Sequence, residues 1–401
     1  MSKKVLFVIN TLGQAGAEVA LLELLRSMDP AEYEISLYVL MEQGELLSRI
    51  PEHVRLLNDR YAQVSVLGRE GSGKMVSTVL RALVTRGTIF RRFPYLVSNL
   101  AAMIRRGRIW PDKLLWRVIS DGAKRLEETF DLAVAYLEGG SAYYVADYVK
   151  ARKKAAFIHI DYGQAGYTRK LDQDCYLRYD SIFTVSGEVK EHFLAAYPEC
   201  GRRTEIFHNQ MDQEEIKRRS REVGGFTDSY SGIRILTVGR LTYQKAYDYA
   251  ITALKLLKEE GYPVKWYVLG EGNQRTVLEK KIEEYSLQED FLLPGAVANP
   301  YPYYAQTDIY VHATRFEGKS IAIQEAQILG CPIIASDCSG NREQIVNGAD
   351  GLLCDLDPET IKESIAVLIK DEEKRKALGR AAADKNNSYK EDMQMLYALM
   401  E

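Results

Sequence analysis

The sequence is short of most features that mark a specialised class. Neither sign of charge is in excess: 53 basic residues stand against 56 acidic ones, for a formal net charge of -3. A polyanion meets no global electrostatic footprint here, and no nucleic-acid partner is expected. Cysteine is scarce, five in 401 residues, and Cys175, Cys200, Cys331, Cys338 and Cys354 are scattered without a Cys-x-x-Cys pair. That argues against a zinc site and a disulfide framework, and a reducing cytoplasm is the expected setting. No apolar run approaches the roughly 20 residues that cross a bilayer, so any membrane contact is expected to be peripheral. The opening Met1-Ser2-Lys3-Lys4 and the apolar run behind it superficially resemble a secretion signal. The run is broken by Asn10 and Gly13 and has no small-residue cleavage site, so it reads as a first buried strand.

Length and rhythm are what the sequence does have. A chain of 401 residues exceeds what one core usually holds, which makes two domains the natural expectation. Short Val- and Ile-rich runs alternate with longer amphipathic ones, the α/β pattern of parallel strands joined by crossover helices. Strands are predicted at 5–10, 34–40, 131–137, 155–160, 181–185 and 205–209. The Gly- and Ser-rich stretch 222–232 has no period and reads as a linker. The rhythm then restarts with strands at 234–238, 264–269, 308–313 and 332–335. The predicted domains are 1–221 and 233–401, with the last helix, 390–400, free to pack on either. Doubly wound sheets bind ligands at the carboxyl ends of their strands, so two that face each other would leave a cleft between them.

The most informative stretch is 308–336, which reads as strand, loop, helix, strand. Ser320 is a plausible N-cap, and Gly330 followed by Pro332 is a helix stop. The helix is predicted over 321–329. Glu317 sits in the loop and Glu325 a little over one turn into the helix, so both carboxylates can look toward the helix start. Free N–H groups and the positive dipole end there suit a phosphate, and carboxylates beside it can accept hydrogen bonds from sugar hydroxyls. Taken alone, two glutamates near a helix start are better read as simply complementing the dipole.

Phe316-Glu317-Gly318-Lys319-Ser320, with Glu325 eight positions after Glu317, resembles the signature of the retaining glycosyltransferases of GT-B architecture, the family 4 type. The resemblance extends over nearly the whole chain. It implies two Rossmann-like domains, the first binding the acceptor and the second the nucleotide sugar. It also implies that Glu317 contacts donor-sugar hydroxyls, that Glu325 holds the ribose, and that the backbone of Gly318, Lys319, Ser320 and Ile321 approaches phosphates and sugar. Gly239-Arg240 followed by Lys245 resembles the family's phosphate-binding segment, where the two cations would stabilise the departing diphosphate without a metal. Ala246 stands where a glycine is usual.

The turn 11–18 bears Gly16 before the first helix, with Ala15-Gly16 in place of the family's usual glycine pair. His159, which as a lone histidine could be a packed structural residue, falls in Ile158-His159-Ile160-Asp161-Tyr162, similar to the segment whose histidine faces the donor sugar. Phe207-His208-Asn209 resembles another strand end, with Gln210 replacing proline, and Glu343 and the turn 347–351 fit the family as structural features.

Two further stretches stand out. Gly68 to Lys74 meets the spacing of a P-loop, but Met75 takes the place of the Ser or Thr that holds magnesium, so a flexible Gly-rich loop is expected rather than a kinase or ATPase site. Between 74 and 117 ten cations face one acid, Asp112, and are interleaved with Phe90, Phe93, Tyr95, Trp110 and Trp116. Such a stretch could be a solvated basic face over ordinary core or a contact with an anionic membrane.

The resulting expectation is a metal-independent, retaining transfer of a hexose or N-acetylhexosamine from a UDP-sugar to a glycan on a lipid carrier, in cell-surface polysaccharide synthesis. The enzyme would be cytoplasmic, or peripheral on the inner face of the membrane. A nucleotide-sugar 2-epimerase of the same architecture and a non-catalytic partner subunit are the alternatives.

Overall fold

The alternation of apolar runs with amphipathic helices is realised as two parallel sheets. A computed structural model describes residues 2–65, 69–385 and 389–401. The chain forms two compact units, Met1–Gln210 with Tyr389–Glu401, and Met211–Ser388.

The first unit holds β1 (Lys3–Ile9), β2 (Tyr33–Val39), β3 (Arg55–Leu56), β4 (Thr129–Ala135), β5 (Lys150–Ile158), β6 (Ser181–Thr184) and β7 (Thr204–Ile206). The second holds β8 (Ile233–Val238), β9 (Val264–Leu269), β10 (Phe291–Gly295), β11 (Ile309–His312), β12 (Ile333–Ser336) and β13 (Leu352–Cys354). The spatial orders are β3-β2-β1-β4-β5-β6-β7 and β10-β9-β8-β11-β12-β13. Both sheets therefore reverse direction once, between β1 and β4 and between β8 and β11. Loops leave the two strands of such a pair toward opposite faces and open a crevice at their carboxyl ends. The doubly wound α/β architecture expected from the sequence is the one found.

All ten predicted strands are present, with ends shifted by a few residues. The three that the sequence did not indicate, β3, β10 and β13, are all edge strands. An edge strand is short and half covered, so it shows little apolar pattern. In β10 the pattern is also broken by Pro294, which a sheet tolerates only where an N–H is not needed.

The stretch 222–232, expected as a linker, lies inside the second unit. Its aromatic and charged residues anchor it: Phe226 packs on Tyr267 and Tyr303, and Asp228 pairs with Arg234 at 2.8 Å. The helix Gln213–Arg219 is in that unit as well, with Arg219 over Tyr301 and its carbonyl accepting from Asn299 Nδ2 at 3.0 Å.

The end of the chain joins the first unit. Met393, Leu396 and Met400 are buried in the core on one face of its sheet. Asp392 Oδ2 accepts the His208 backbone N–H at 2.7 Å and lies 2.8 Å from His208 Nδ1, the His208 ring stacks on Tyr389, and Gln210 Nε2 donates to the Tyr389 carbonyl. His208 and Gln210 thus hold the chain end in place.

Four helices of the first unit matter below: α1 (Gly16–Ser27), α2 (Arg69–Val84), α3 (Thr88–Arg105) and α4 (Pro111–Gly122). Gly71, Gly73 and Lys74 belong to α2, so the expected flexible loop is a helix start; Gly68 lies outside the described residues. Part of the basic stretch 74–117 points inward. Arg117 is 1% exposed, pairs with Asp147 at 2.6 Å and lies over the Tyr143 ring, and Arg92 pairs with Asp121 at 2.7 Å.

Leu396→Ala should remove apolar surface from a filled core, and a loss of about 2–5 kcal/mol in the stability of the first unit is expected, measurable by urea unfolding followed with far-UV circular dichroism.

Candidate functional site

In the second unit the site residues gather at the reversal between β8 and β11. After β8 the chain turns through Gly239 and Arg240 into a short 3-10 turn, Tyr243–Lys245. After β11 it passes through Ala313 to Phe316 and reaches Glu317. Backbone and side-chain hydrogen bonds lace these two loops together. Arg315 N–H donates to the Gln244 carbonyl at 2.8 Å, Gln244 Nε2 donates to the Phe316 carbonyl at 2.8 Å, and buried Thr314 donates to the carbonyls of Gln244 and Phe316. The Arg315 guanidinium lies over the Tyr243 ring and pairs with Asp248 at 2.8 Å. Lys245 is thereby set against Glu317.

Lys245 and Glu317 form an ion pair in which each side chain is only about one-seventh exposed (15% and 14%). Glu317 Oε2 also lies 3.2 Å from His312 Nε2. Burial pushes the Glu317 carboxyl up, but the Lys245 charge and the His312 hydrogen bond outweigh it and hold the group at about 2. His312 is held at about 4 by burial and by the nearby Lys245 charge, so it is neutral at pH 7. Its Nε2 faces both Glu317 Oε2 and, at 3.3 Å, Lys245 Nζ, and its Nδ1 lies 3.3 Å from the Tyr310 hydroxyl. Tyr310 and Tyr304 rings lie 5.3 Å apart, and the Tyr304 hydroxyl donates to Glu325 Oε2 at 3.0 Å. The two glutamates are therefore the ends of one buried polar row, Glu317–His312–Tyr310–Tyr304–Glu325.

Glu325 projects from the helix Ile321–Ile328, which starts as the sequence predicts: Ser320 Oγ accepts the Ile323 N–H, and Gly330 adopts φ +70° at the far end. A clamp missed from sequence fixes the helix start. Gln344 accepts the Ser320 N–H at 2.7 Å and donates to the Ser320 carbonyl at 2.9 Å. The Ser320 amide is thus already engaged by the Gln344 side chain. Ile321 and Ala322 N–H make no hydrogen bond among the described residues and are the donors this helix end offers. Gly318 is buried, and its carbonyl would lie 2.0 Å from a Cβ on Gly340, so Gly340 is the glycine that this close approach requires. Lys319 is half-buried beside it.

Arg240 is exposed and makes no ion pair among the described residues. Ala246 takes the left-handed conformation, φ +45°, so the loop keeps a glycine-type backbone although alanine costs about 1–2 kcal/mol there.

In the first unit the corresponding reversal lies between β1 and β4. Gly16 is exposed and opens α1, and its φ is not one that requires glycine. Glu18 is buried and accepts from the Thr11 hydroxyl at 3.3 Å. His159 follows β5, with its ring against Tyr136 and Phe157 and its Nε2 buried without a partner among the described residues. Burial lowers it to about 3. Its backbone N–H donates to Glu138 Oε2 at 3.2 Å, and the Glu138 carbonyl accepts from Asn10 Nδ2 at 3.0 Å. Burial raises the Glu138 carboxyl above its ordinary range. Glu138 and His312 are the charged or titratable groups that sequence reading missed. The signals were an acid between the end of a strand and Gly139-Gly140, and a Tyr-x-His pair that strand alternation puts on one face.

Because Glu317 is depressed to about 2, its stabilisation is present above the ordinary carboxylate range near 4.5 and lost as pH falls through about 2. Glu317→Gln is expected to lower the stability of the second unit at neutral pH, with the gap to wild type closing as pH drops from 4.5 toward 2, in thermal unfolding measured across that range.

Residues 229–385 match the family model described as glycosyl transferases group 1. A protein of Campylobacter jejuni, N-acetylgalactosamine-N,N'-diacetylbacillosaminyl-diphospho-undecaprenol 4-alpha-N-acetylgalactosaminyltransferase, is 30% identical over 216 residues, 53% of this chain and 57% of that one. The amylovoran biosynthesis glycosyltransferase AmsD of Erwinia amylovora is 29% identical over 157 residues, 39% of this chain and 44% of that one. The chain thus spans about half the length of these curated relatives. Among solved structures, HepE of Anabaena in complex with UDP and glucose superposes with a TM-score of 0.70 over 99% of both chains at 14% identity. Residues 229–385 belong to the glycosyl transferases group 1 family, and the chain carries the GT-B fold.

Proposed function

We propose that the chain is a retaining glycosyltransferase that moves a hexose or N-acetylhexosamine from a UDP-sugar to a glycan on a lipid carrier, in the synthesis of a cell-surface polysaccharide. The observation that carries this reading is the Lys245–Glu317–His312 cluster beside the free Ile321 and Ala322 amides. A diphosphate needs cations and N–H donors, and a sugar needs carboxylate acceptors. These lie together at one strand reversal. In this reading Lys245 and the exposed Arg240 neutralise the diphosphate as its bond to the sugar breaks, without a metal. Glu317 accepts from donor-sugar hydroxyls and Glu325 from the ribose. His159 and the turn bearing Gly16 serve the first unit's side of the reaction. The UDP seen with HepE and the diphospho-undecaprenol in the name of the Campylobacter relative support the donor and acceptor classes.

The retaining course rests on the resemblance to family 4. Glu317 is committed to Lys245 and His312, which suits hydroxyl binding better than attack on the sugar. Same-face displacement assisted by the departing diphosphate then leaves the configuration unchanged. A cytoplasmic enzyme, reaching its carrier at the inner membrane face, fits this chemistry.

A panel of nucleotide sugars in a thermal-shift assay should show stabilisation by UDP and by one UDP-sugar, since a ligand of the folded state raises its apparent stability. With that sugar and a lipid-diphosphate-linked acceptor, proton NMR should report a product with the donor's anomeric configuration. Inversion would overturn the retaining mechanism, and release of a free isomerised sugar would make the chain an epimerase. Lys245→Ala is expected to lower turnover by at least about 100-fold while unfolding stays cooperative; near-wild-type turnover would remove Lys245 from the diphosphate.

A further inference from the structure

Ten of the sixteen large hydrophobic side chains exposed among the described residues fall between Val76 and Ile109. Their placement is ordered. In α3, Phe90, Phe93, Val97, Leu100 and Ile104 recur every three or four residues and lie in a stripe about 80° wide. Thr88, Tyr95, Asn99 and Met103 form the buried face of the same helix, on its opposite side. The helix thus has two apolar faces, one spent on the fold and one turned outward. In α2, Val76, Leu80 and Val84 are exposed in the same fashion while Thr78 and Ala82 are buried. Phe90 and Phe93 are 85% and 61% exposed, far more than a packed phenylalanine.

Charge runs beside these stripes. From Lys74 to Arg108 there are eight cations and no acid. Arg91, Arg105 and Arg106 are exposed and make no ion pair among the described residues. A second copy of the chain is a poor cover for this face, because a two-fold contact would set the cations against themselves. A partner that offers negative charge at one depth and hydrocarbon just beyond it meets both features at once, and an anionic bilayer has that layering.

We infer that the outward edge of α2 and α3 inserts into the interface of an anionic phospholipid bilayer, with Phe90 and Phe93 entering the acyl region and Arg91, Arg105 and Arg106 held at the headgroups. This goes beyond a surface attraction of the basic stretch. It also stands apart from the sugar-transfer reading, since vesicle binding involves no turnover.

The test uses the full chain with vesicles of phosphatidylcholine alone and of phosphatidylcholine mixed with phosphatidylglycerol, in co-sedimentation at low and high salt. Binding is expected only to the mixed vesicles, and part of it should survive high salt. Phe90→Ser with Phe93→Ser should weaken it by at least about tenfold, and Arg91→Ser with Arg105→Ser by at least about tenfold at low salt, both with wild-type circular dichroism. Phe90→Trp reports insertion directly, because phospholipids brominated on their acyl chains should quench the added fluorescence. Absence of binding, binding unchanged by the phenylalanine pair, or an unquenched tryptophan would each overturn the inference. So would a wild-type dimer in analytical ultracentrifugation that becomes monomeric on changing Phe90 and Phe93.

Discussion

The candidate site depends on a carboxylate that is mostly withdrawn from water yet kept charged. Burial of Glu317 would favour its neutral form, and only the neighbouring cation of Lys245, helped by His312, reverses that. For the pair to meet, two loops more than sixty residues apart in sequence must be held in one register. The bonds among Gln244, Thr314, Arg315 and Phe316 do so. The charge and the loop geometry therefore support one another. Without the lacing Lys245 would lie free, and without Lys245 the carboxylate would tend to hold a proton. The neutral His312 extends the arrangement inward through Tyr310 and Tyr304, so the geometry at Glu317 is tied to that at Glu325, eight residues along the chain.

The same strand order recurs in both units, but the sites at the two reversals are electrostatically unlike. In the second unit a cation lies beside the acid and the carboxyl is driven down. In the first, backbone N–H groups and the Lys113 charge favour the ionised Glu138, but burial outweighs them and drives it up. His159 beside it is held neutral by burial. One unit thus offers a fixed anion beside a cation, while the other offers a neutral histidine beside a carboxyl that burial pushes up. A phosphate suits the first environment. The second suits hydroxyl groups, which exchange hydrogen bonds without needing a counter-charge.

Interior strands were legible in the sequence because a parallel strand covered on both faces reads as an apolar run. β3, β10 and β13, edge strands without that cover, were not, although the edge strand β7 was. The helix at Ile321–Ile328 was legible from its cap and stop, which are local. The stretch 222–232 misled because its glycines and serines hide two anchors: Phe226, whose partners Tyr267 and Tyr303 lie far along the chain, and Asp228, which pairs with Arg234 in β8. In the site, Arg240, Lys245, Glu317 and Glu325 could be picked out by their resemblance to a family's pattern of residue types. Gln344 could not: its role is a pair of backbone contacts that no residue type announces. The engaged Ser320 amide follows from that clamp and was equally invisible.

The return of residues 389–401 to the first unit bears on how the molecule is made. Three of that unit's core side chains, Met393, Leu396 and Met400, are synthesised after the whole of the second unit. On the ribosome, a sheet begun at Lys3 must wait for these residues before its hydrophobic face is covered. The second unit, whose parts are contiguous in sequence, can close in the meantime. Biogenesis is therefore staggered: the unit that starts first finishes last, and its uncovered face is what a chaperone would meet during synthesis.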